Sequence, residues 1–254
     1  MILAAGLGTR LRPLTDTRPK ALVELAGHTL LEITLSRLRI FGVTKVIINV
    51  HHFADMVVDY LKSHNNFGMR IEISREDDLL LDTGGGLKKA AWFFLEDPHR
   101  FDEPFLLHNV DVISNIDFHR VLRFHSEHRA LATLTVQSRE SSRLLLFDDQ
   151  LQLCGRRISG HDTLVSDSSS PASRSPLATR HSPLAFSGIH IISPRLLSML
   201  TETGVFSIID AYLRLASQGE KILAFRADEY YWRDLGRSSD LSHATVDLQR
   251  GVLD

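Results

Sequence analysis

Met1-Ile-Leu-Ala-Ala-Gly6-Leu-Gly8-Thr-Arg10-Leu-Arg12-Pro-Leu-Thr-Asp16-Thr-Arg18-Pro-Lys20 opens the chain. The apolar run Ile2–Ala5 reads as a buried strand. It breaks at Gly6 and Gly8 into a loop carrying Arg10, Arg12, Arg18 and Lys20 against one acid, Asp16. Glycines at a strand end remove the Cβ atoms that would keep backbone N–H groups from an anion. With cations beside them, the pattern fits a phosphate cradle better than a plain solvated loop. The spacing is neither Gly-x-x-x-x-Gly-Lys-Ser/Thr nor Gly-x-Gly-x-x-Gly, so a P-loop NTPase and a dinucleotide fold are both disfavoured.

Outward from this loop, strand-like and helix-like runs alternate. Lys45–Val50, Arg70–Ser74, Phe105–His108 and Leu131–Val136 read as strands. Leu30–Phe41, Phe53–Leu61 and Leu87–Leu95 read as helices, the last one following Gly84–Gly86. This order predicts an α/β fold: a Rossmann-like three-layer sandwich with a mostly parallel central sheet. Ligands on such sheets bind beyond the carboxyl ends of the strands, where both Gly6/Gly8 and Asp111 fall. In the second half, Leu144–Phe147 and Leu151–Leu153 suggest a hairpin, Leu184–Ile192 a strand, Arg195–Leu200 and Ile208–Ser217 helices, and Tyr230–Trp232 a short strand. A helix near Leu241–Val252 follows. Residues 160–183, rich in Ser, Pro and Thr, read as a long flexible loop. No repeat or linker separates two cores. The expectation is one domain over 1–254 with a ligand-facing subregion, its first part over about 1–112 and a small β-rich part over about 113–254.

Composition sets the broad class. The chain has 254 residues, 43% hydrophobic and 24% charged, with net charge −2. That balance suits a substantial core and disfavours a nucleic-acid surface. One cysteine, Cys154, allows no intrachain disulfide and fits a reducing compartment. No apolar stretch is long enough to span a bilayer, and Met1 leads straight into a strand with no signal-peptide pattern. The expectation is a cytoplasmic protein with no membrane partner, a monomer or small homo-oligomer.

Five segments carry a specific resemblance. Leu3-Ala-Ala-Gly-Leu-Gly-Thr-Arg-Leu-Arg-Pro-Leu-Thr with Arg18-Pro-Lys-Ala-Leu-Val is similar to the signature of the sugar-1-phosphate nucleotidyltransferases. The likeness continues at Asp82-Thr-Gly-Gly-Gly86, Asn109-Val-Asp111-Val, Phe186-Ser-Gly188-Ile and Trp232-Arg-Asp234-Leu-Gly236. The resemblance implies transfer of a nucleotidyl group from an NTP to a sugar 1-phosphate, with release of pyrophosphate. It implies Arg10, Lys20 and Asp111 as catalytic residues, and Asp111 and Asp234 as ligands of Mg²⁺. It places Ala4, Ala5, Gly6, Gly8, Thr9, Arg10, Lys20, Gly84, Gly85 and Asn109 on the nucleotide, and Val112, Gly188 and Arg156 on the sugar, which makes about 1–112 the nucleotide-binding part and about 113–254 the sugar-binding part. Alone, an Asp after a strand is as often a turn or a cap.

Three departures from the family pattern stand out. Val110 replaces a common Gly and is expected to reshape the ribose site. No lysine lies between Lys89 and Lys221 to meet the sugar phosphate; Arg156, Arg157 or Arg180 are the substitutes weighed. The 160–183 stretch is either a lid over the sugar or inert. Compact length, the Asp-Thr-Gly-Gly-Gly segment and the end at Asp254 look most like the branch using UTP and N-acetylmuramate 1-phosphate in cell-wall recycling. Mannose-1-phosphate guanylyltransferases are the nearest rival, and a non-catalytic nucleotide-binding regulator is the alternative of another class. The lack of a hexapeptide-repeat extension leaves no expected acyltransferase. Among other residues, Asp117 reads as a helix start. His125 and His128 read as a solvated helix face, His51-His52 as an unassigned strand end, and Trp232 with Tyr230 and Tyr231 as core and rim.

Overall fold

The computed structural model describes residues 1–97, 102–165 and 181–252. In chain order, β1 (Ile2–Leu3) is followed by a small hairpin of β2 (Glu24–Leu25) and β3 (His28–Thr29), then α1 (Leu30–Ile40), β4 (Lys45–Val50), α2 (Ala54–Ser63) and β5 (Arg70–Arg75). Next come α3 (Asp82–Lys89), α4 (Ala91–Phe94), β6 (Phe105–Asn109), β7 (Val112–Ser114), α5 (Phe118–His128) and β8 (Ala132–Gln137). The remainder is β9 (Arg143–Phe147), β10 (Leu153–Ile158), β11 (His161–Leu164), β12 (Ser182–Ile192), α6 (Arg195–Ser198), α7 (Ile208–Ser217), β13 (Ile222–Arg226), β14 (Trp232–Asp234) and α8 (Ser238–Gln249).

Strands β5, β4, β1 and β6 lie side by side in parallel. Antiparallel β12 follows β6, then β8 and β13, which run parallel to each other. The central sheet is therefore mostly parallel, as the alternating pattern predicts. Its strands are apolar on both faces because both faces are covered. Ile2, Val46, Ile48, Val50 and Ile189 pack with Leu31, Leu35, Leu38, Val57 and Val121 on one side. Ile47, Leu107, Leu134, Ile192 and Ala224 pack with Leu87, Leu196, Ala211, Tyr212 and Leu215 on the other. Helix, sheet and helix make the three layers.

The N-terminal part of β12 pairs with β9, β9 with β10, and β10 with β11. This antiparallel extension is the β-rich subregion. Its hairpin turns where expected: Asp148 Oδ1 accepts N–H bonds from Gln150 and Gln152, both at 2.9 Å. Within the stretch 160–183 expected as a loop, β11 takes 161–164 and β12 begins at Ser182; 166–180 lie outside the described residues. The short strand read at Tyr230–Trp232 runs over Trp232–Asp234 instead.

Asp117 caps α5, accepting from the His119 and Arg120 N–H groups. His125 is not on a solvated face. It is 2% exposed, with Nδ1 3.0 Å from Thr133 Oγ1 and Nε2 3.0 Å from Ser193 Oγ. His108 and His190 are buried too. Burial depresses these imidazoles, to about 4 for His108 and His125 and about 3 for His190. They are neutral in the fold, whereas the unfolded chain binds their protons near pH 6.5. Below that pH the unfolded state holds more protons, so stability falls as pH drops from about 6.5 towards 4, by up to about 1.4 kcal/mol per pH unit for each imidazole. The urea midpoint is expected to be clearly lower at pH 5 than at pH 7; equal midpoints would contradict three neutral buried histidines.

Candidate active site

Ladder geometry brings the chemistry-bearing residues together at the carboxyl ends of β1, β4 and β6. β14 pairs antiparallel with β7, with Asp234 opposite Val112. The Leu235 N–H donates to the Asp111 carbonyl at 2.7 Å. Asp111, just past β6, is thereby held beside Asp234; Asp111 is buried and Asp234 half-buried. Lys20 Nζ forms an ion pair with Asp111 Oδ2. Arg10 reaches the same place: a Cβ on Gly236 would lie 2.5 Å from an Arg10 guanidinium nitrogen and 2.5 Å from Asp234 Oδ1.

The electrostatics follow from this crowding. Burial first, and the charge of Asp111 second, push the Asp234 carboxyl above the ordinary carboxylate range. Lys20, the Gly236 N–H at 2.7 Å and Arg10 pull it back. The four cations of the opening loop divide in two. Arg12 pairs with Asp16 and Arg18 with Glu24 at the surface; Arg10 and Lys20 face the carboxylates.

The loop itself is fixed from within. Gly8 has φ +64°, and a Cβ there would press on Thr15 at 2.9 Å and Lys20 at 3.2 Å. Thr15 Oγ1 donates back to the Gly8 carbonyl at 2.9 Å. Thr9 and Arg10 form the exposed 3-10 turn that follows. Gly6 differs: it is exposed, and its Cβ would meet nothing within 4 Å. Ala4 and Ala5 are buried, and the Ala4 N–H donates to Asn49 Oδ1 at 2.7 Å.

That bond leads to two residues that sequence reasoning missed. Asn49 Nδ2 donates to Glu76 Oε1 at 2.7 Å, and the Leu81 N–H donates to Glu76 Oε2 at 2.8 Å. Glu76 is 1% exposed. This chain of bonds ties the ends of β1, β4 and β5 to the start of α3. A polar residue inside the apolar run Lys45–Val50 was the available signal, but only the pairing of β4 with β5 gives it meaning.

Gly84, Gly85 and Gly86 do not precede a helix, as expected; they lie within the first turns of α3. Packing requires all three. Added Cβ atoms would lie 2.3 Å from the Phe206 ring, 2.6 Å from the Gly204 carbonyl oxygen and 2.7 Å from Asn49 Nδ2, respectively. The Gly84 N–H donates to the Phe206 carbonyl at 3.0 Å. Gly85→Ala meets backbone, which cannot rotate away. It is expected to cost about 1–3 kcal/mol, a fall in Tm of roughly 2–10 °C. Gly6→Ala is expected to leave Tm unchanged. Thermal melts of the two variants check this contrast, and equal losses would contradict it.

Asn109, Val112 and Gly188 converge. Gly188 sits at φ +73° in a bulge of β12, and its Cβ would lie 2.7 Å from Asn109 Nδ2 and 3.1 Å from Val112 Cγ2. Two expectations are corrected here. Val110 does not reshape a ribose site, since its side chain is 2% exposed in the core. Arg156 is not brought to the carboxylates; it lies on β10 and pairs with Asp210 of α7 at 2.6 Å. Arg157 pairs with Asp162 at 2.5 Å, and Arg180 lies outside the described residues. His51 is turned onto the Glu76 carbonyl at 2.5 Å.

The family model for nucleotidyl transferases matches residues 1–144. The chain is 34% identical over 239 residues to N-acetylmuramate alpha-1-phosphate uridylyltransferase of Caulobacter vibrioides, covering 93% of this chain and 90% of that one. The chain belongs to the nucleotidyl transferase family. It is an enzyme, and the resemblance carried by its five segments holds. A mannose-1-phosphate guanyltransferase of Gibberella zeae is 37% identical over 137 residues, covering 54% of this chain and 36% of that one. In fold, the chain is similar to UDP-glucose pyrophosphorylase complexed with UDP-glucose, with TM-score 0.76, 17% identity and coverage of 98% and 97%. No helix among the described residues is long and apolar enough to cross a membrane.

Proposed function

We propose that this nucleotidyltransferase moves the uridylyl group of UTP onto N-acetylmuramate 1-phosphate, giving the UDP-sugar and pyrophosphate. The observation that carries the reaction is the meeting of Arg10, Lys20, Asp111 and Asp234 at the strand ends. The choice of substrates rests on the full-length likeness to the Caulobacter enzyme. An oxygen of the sugar 1-phosphate attacks the α-phosphorus of the NTP. A new P–O bond forms, the bond to the β-phosphate oxygen breaks, and pyrophosphate leaves with the electron pair. The attacking oxygen is already anionic, so no strong base is required; the difficulty is bringing two polyanions together. Fixed positive groups then supply most of the rate.

Arg10 addresses the triphosphate and the departing pyrophosphate. Lys20, anchored on Asp111, meets phosphate at the reacting centre. Backbone N–H groups around Gly6, Gly8 and Thr9 line the triphosphate, where the open space above Gly6 admits close approach. Ala4, Ala5, Gly84, Gly85 and Asn109 surround the nucleoside, and Val112 and Gly188 the sugar. Asp111 and Asp234 are hard oxygen donors side by side, and burial of the pair raises the Asp234 carboxyl. That set suits Mg²⁺, which takes one or two carboxylates plus substrate phosphates. When bound, the ion neutralises phosphate charge across both substrates.

The test is kcat/KM for pyrophosphate release over four NTPs and a panel of sugar 1-phosphates. UTP with N-acetylmuramate 1-phosphate is expected to be the best pair. A preference for GTP with mannose 1-phosphate would overturn the substrate assignment. Tight nucleotide binding without release by any pair would make the chain a regulator.

A further inference from the structure

Arg139 follows β8 in the sequence Gln137-Ser-Arg-Glu140. Its guanidinium carbon lies 3.8 Å from the centre of the Trp232 ring, and Nη2 donates to the Phe186 carbonyl at 2.7 Å. Trp232 is itself fixed, since its Nε1 donates to the Ser187 carbonyl at 2.7 Å. The guanidinium is therefore clamped against the β12 bulge and the first residue of β14. Its Nε is buried and has no hydrogen-bond partner, and among the described residues it has no ion pair. A half-buried cation without an anion is costly unless something supplies one. Among the described residues, most other arginines are paired, for example Arg156 with Asp210, Arg157 with Asp162, Arg214 with Glu202 and Arg233 with Asp247.

The strand places that cation. Trp232 and Asp234 stand two residues apart on β14, so they project to the same face about 7 Å apart. Arg233, between them, turns the other way to Asp247. Arg139, lying on Trp232, is thus on the Asp234 side, and the Asp234 charge acts on it. Arg10 and Lys20 come to the carboxylates from the opening loop. Arg139 comes from β8 and the β12 bulge, next to Gly188. The two sets of cations bracket the carboxylates from different elements of the fold.

We propose that Arg139 binds the phosphate of the acceptor sugar 1-phosphate and holds its attacking oxygen beside Asp234. This rests on the reading of the site as a sugar-1-phosphate nucleotidyltransferase centre. It also answers where the acceptor's charge is met in a chain with no lysine between Lys89 and Lys221. A planar fork fixed on an indole ring suits a phosphate, because two parallel N–H groups can meet two oxygens.

The test is Arg139→Gln beside Arg139→Lys, with KM measured for each substrate separately. Arg139→Gln is expected to raise KM for the sugar 1-phosphate on the order of 10–100-fold, the worth of a charge-assisted hydrogen bond. KM for the NTP stays within about twofold on the same reasoning, and Arg139→Lys recovers part of the loss. An unchanged sugar 1-phosphate KM, or equal losses for both substrates, would overturn the proposal. If Arg139→Gln does not fold, the Lys variant carries the same comparison. If the wild-type chain turns over no pair, the functional reading fails. Arg139 is then judged by calorimetric titration with glucose 1-phosphate. Binding lost in Arg139→Gln supports an anion site, and no binding or equal binding overturns it.

Discussion

Asp111→Asn is expected to lower nucleotidyl transfer by on the order of 10²–10³ while the chain stays fully folded. The substitution keeps the shape of the side chain and the Leu235 N–H bond, which uses the Asp111 backbone carbonyl. It removes the charge that partners Lys20 and one of two carboxylates suited to a metal. It also removes a negative neighbour that pushes the Asp234 carboxyl upward. Lys20 remains to compensate Asp234, so Tm should shift by a few degrees at most, on the order of 1 kcal/mol. Activity and stability are thus expected to separate, as they do where a site stores unfavourable charge. A melt paired with an initial-rate assay checks this; large losses in both would show that Asp111 is structural.

Lys20→Ala is expected to cut turnover by a similar factor and, unlike Asp111→Asn, to lower stability clearly. Lys20 and Asp111 have side chains about equally hidden, each 12% exposed. Removing the ammonium leaves two carboxylates facing each other, with Arg10 and, on the Asp234 side, Arg139 as the remaining cations. Breaking such a pair strands a charge; with some solvent access the cost is about 1–3 kcal/mol. Added Mg²⁺ is expected to restore part of the lost Tm in Lys20→Ala. Unchanged Tm with and without Mg²⁺ would contradict a shared carboxylate pair.

The fold is legible where periodicity is strong. Lys45–Val50 and Ile208–Ser217 are read to the residue because their apolar spacing has one interpretation. β13 is not read, because Ile222–Arg226 is a short apolar run after a helix and becomes a strand only by pairing with β8. In the site, charge and glycine punctuation point to Arg10 and Lys20, the family resemblance points to Asp111 and Asp234, and the β7–β14 ladder brings the two acids together. Val110 and the packing of Gly84–Gly86 escape the sequence for one reason: it does not say what a position faces. Val110 faces the core, and the three glycines face Phe206, Gly204 and Asn49. Glu76 and Arg139 are invisible in sequence because their partners, Asn49 and Trp232, lie far along the chain.

Product analysis tests the central claim most directly. The chain is incubated with UTP and Mg²⁺, with and without N-acetylmuramate 1-phosphate, and both products are counted. The account predicts one UDP-sugar for each pyrophosphate, formed only when both substrates are present and lost in Asp111→Asn. Undiminished product formation by Asp111→Asn would contradict it.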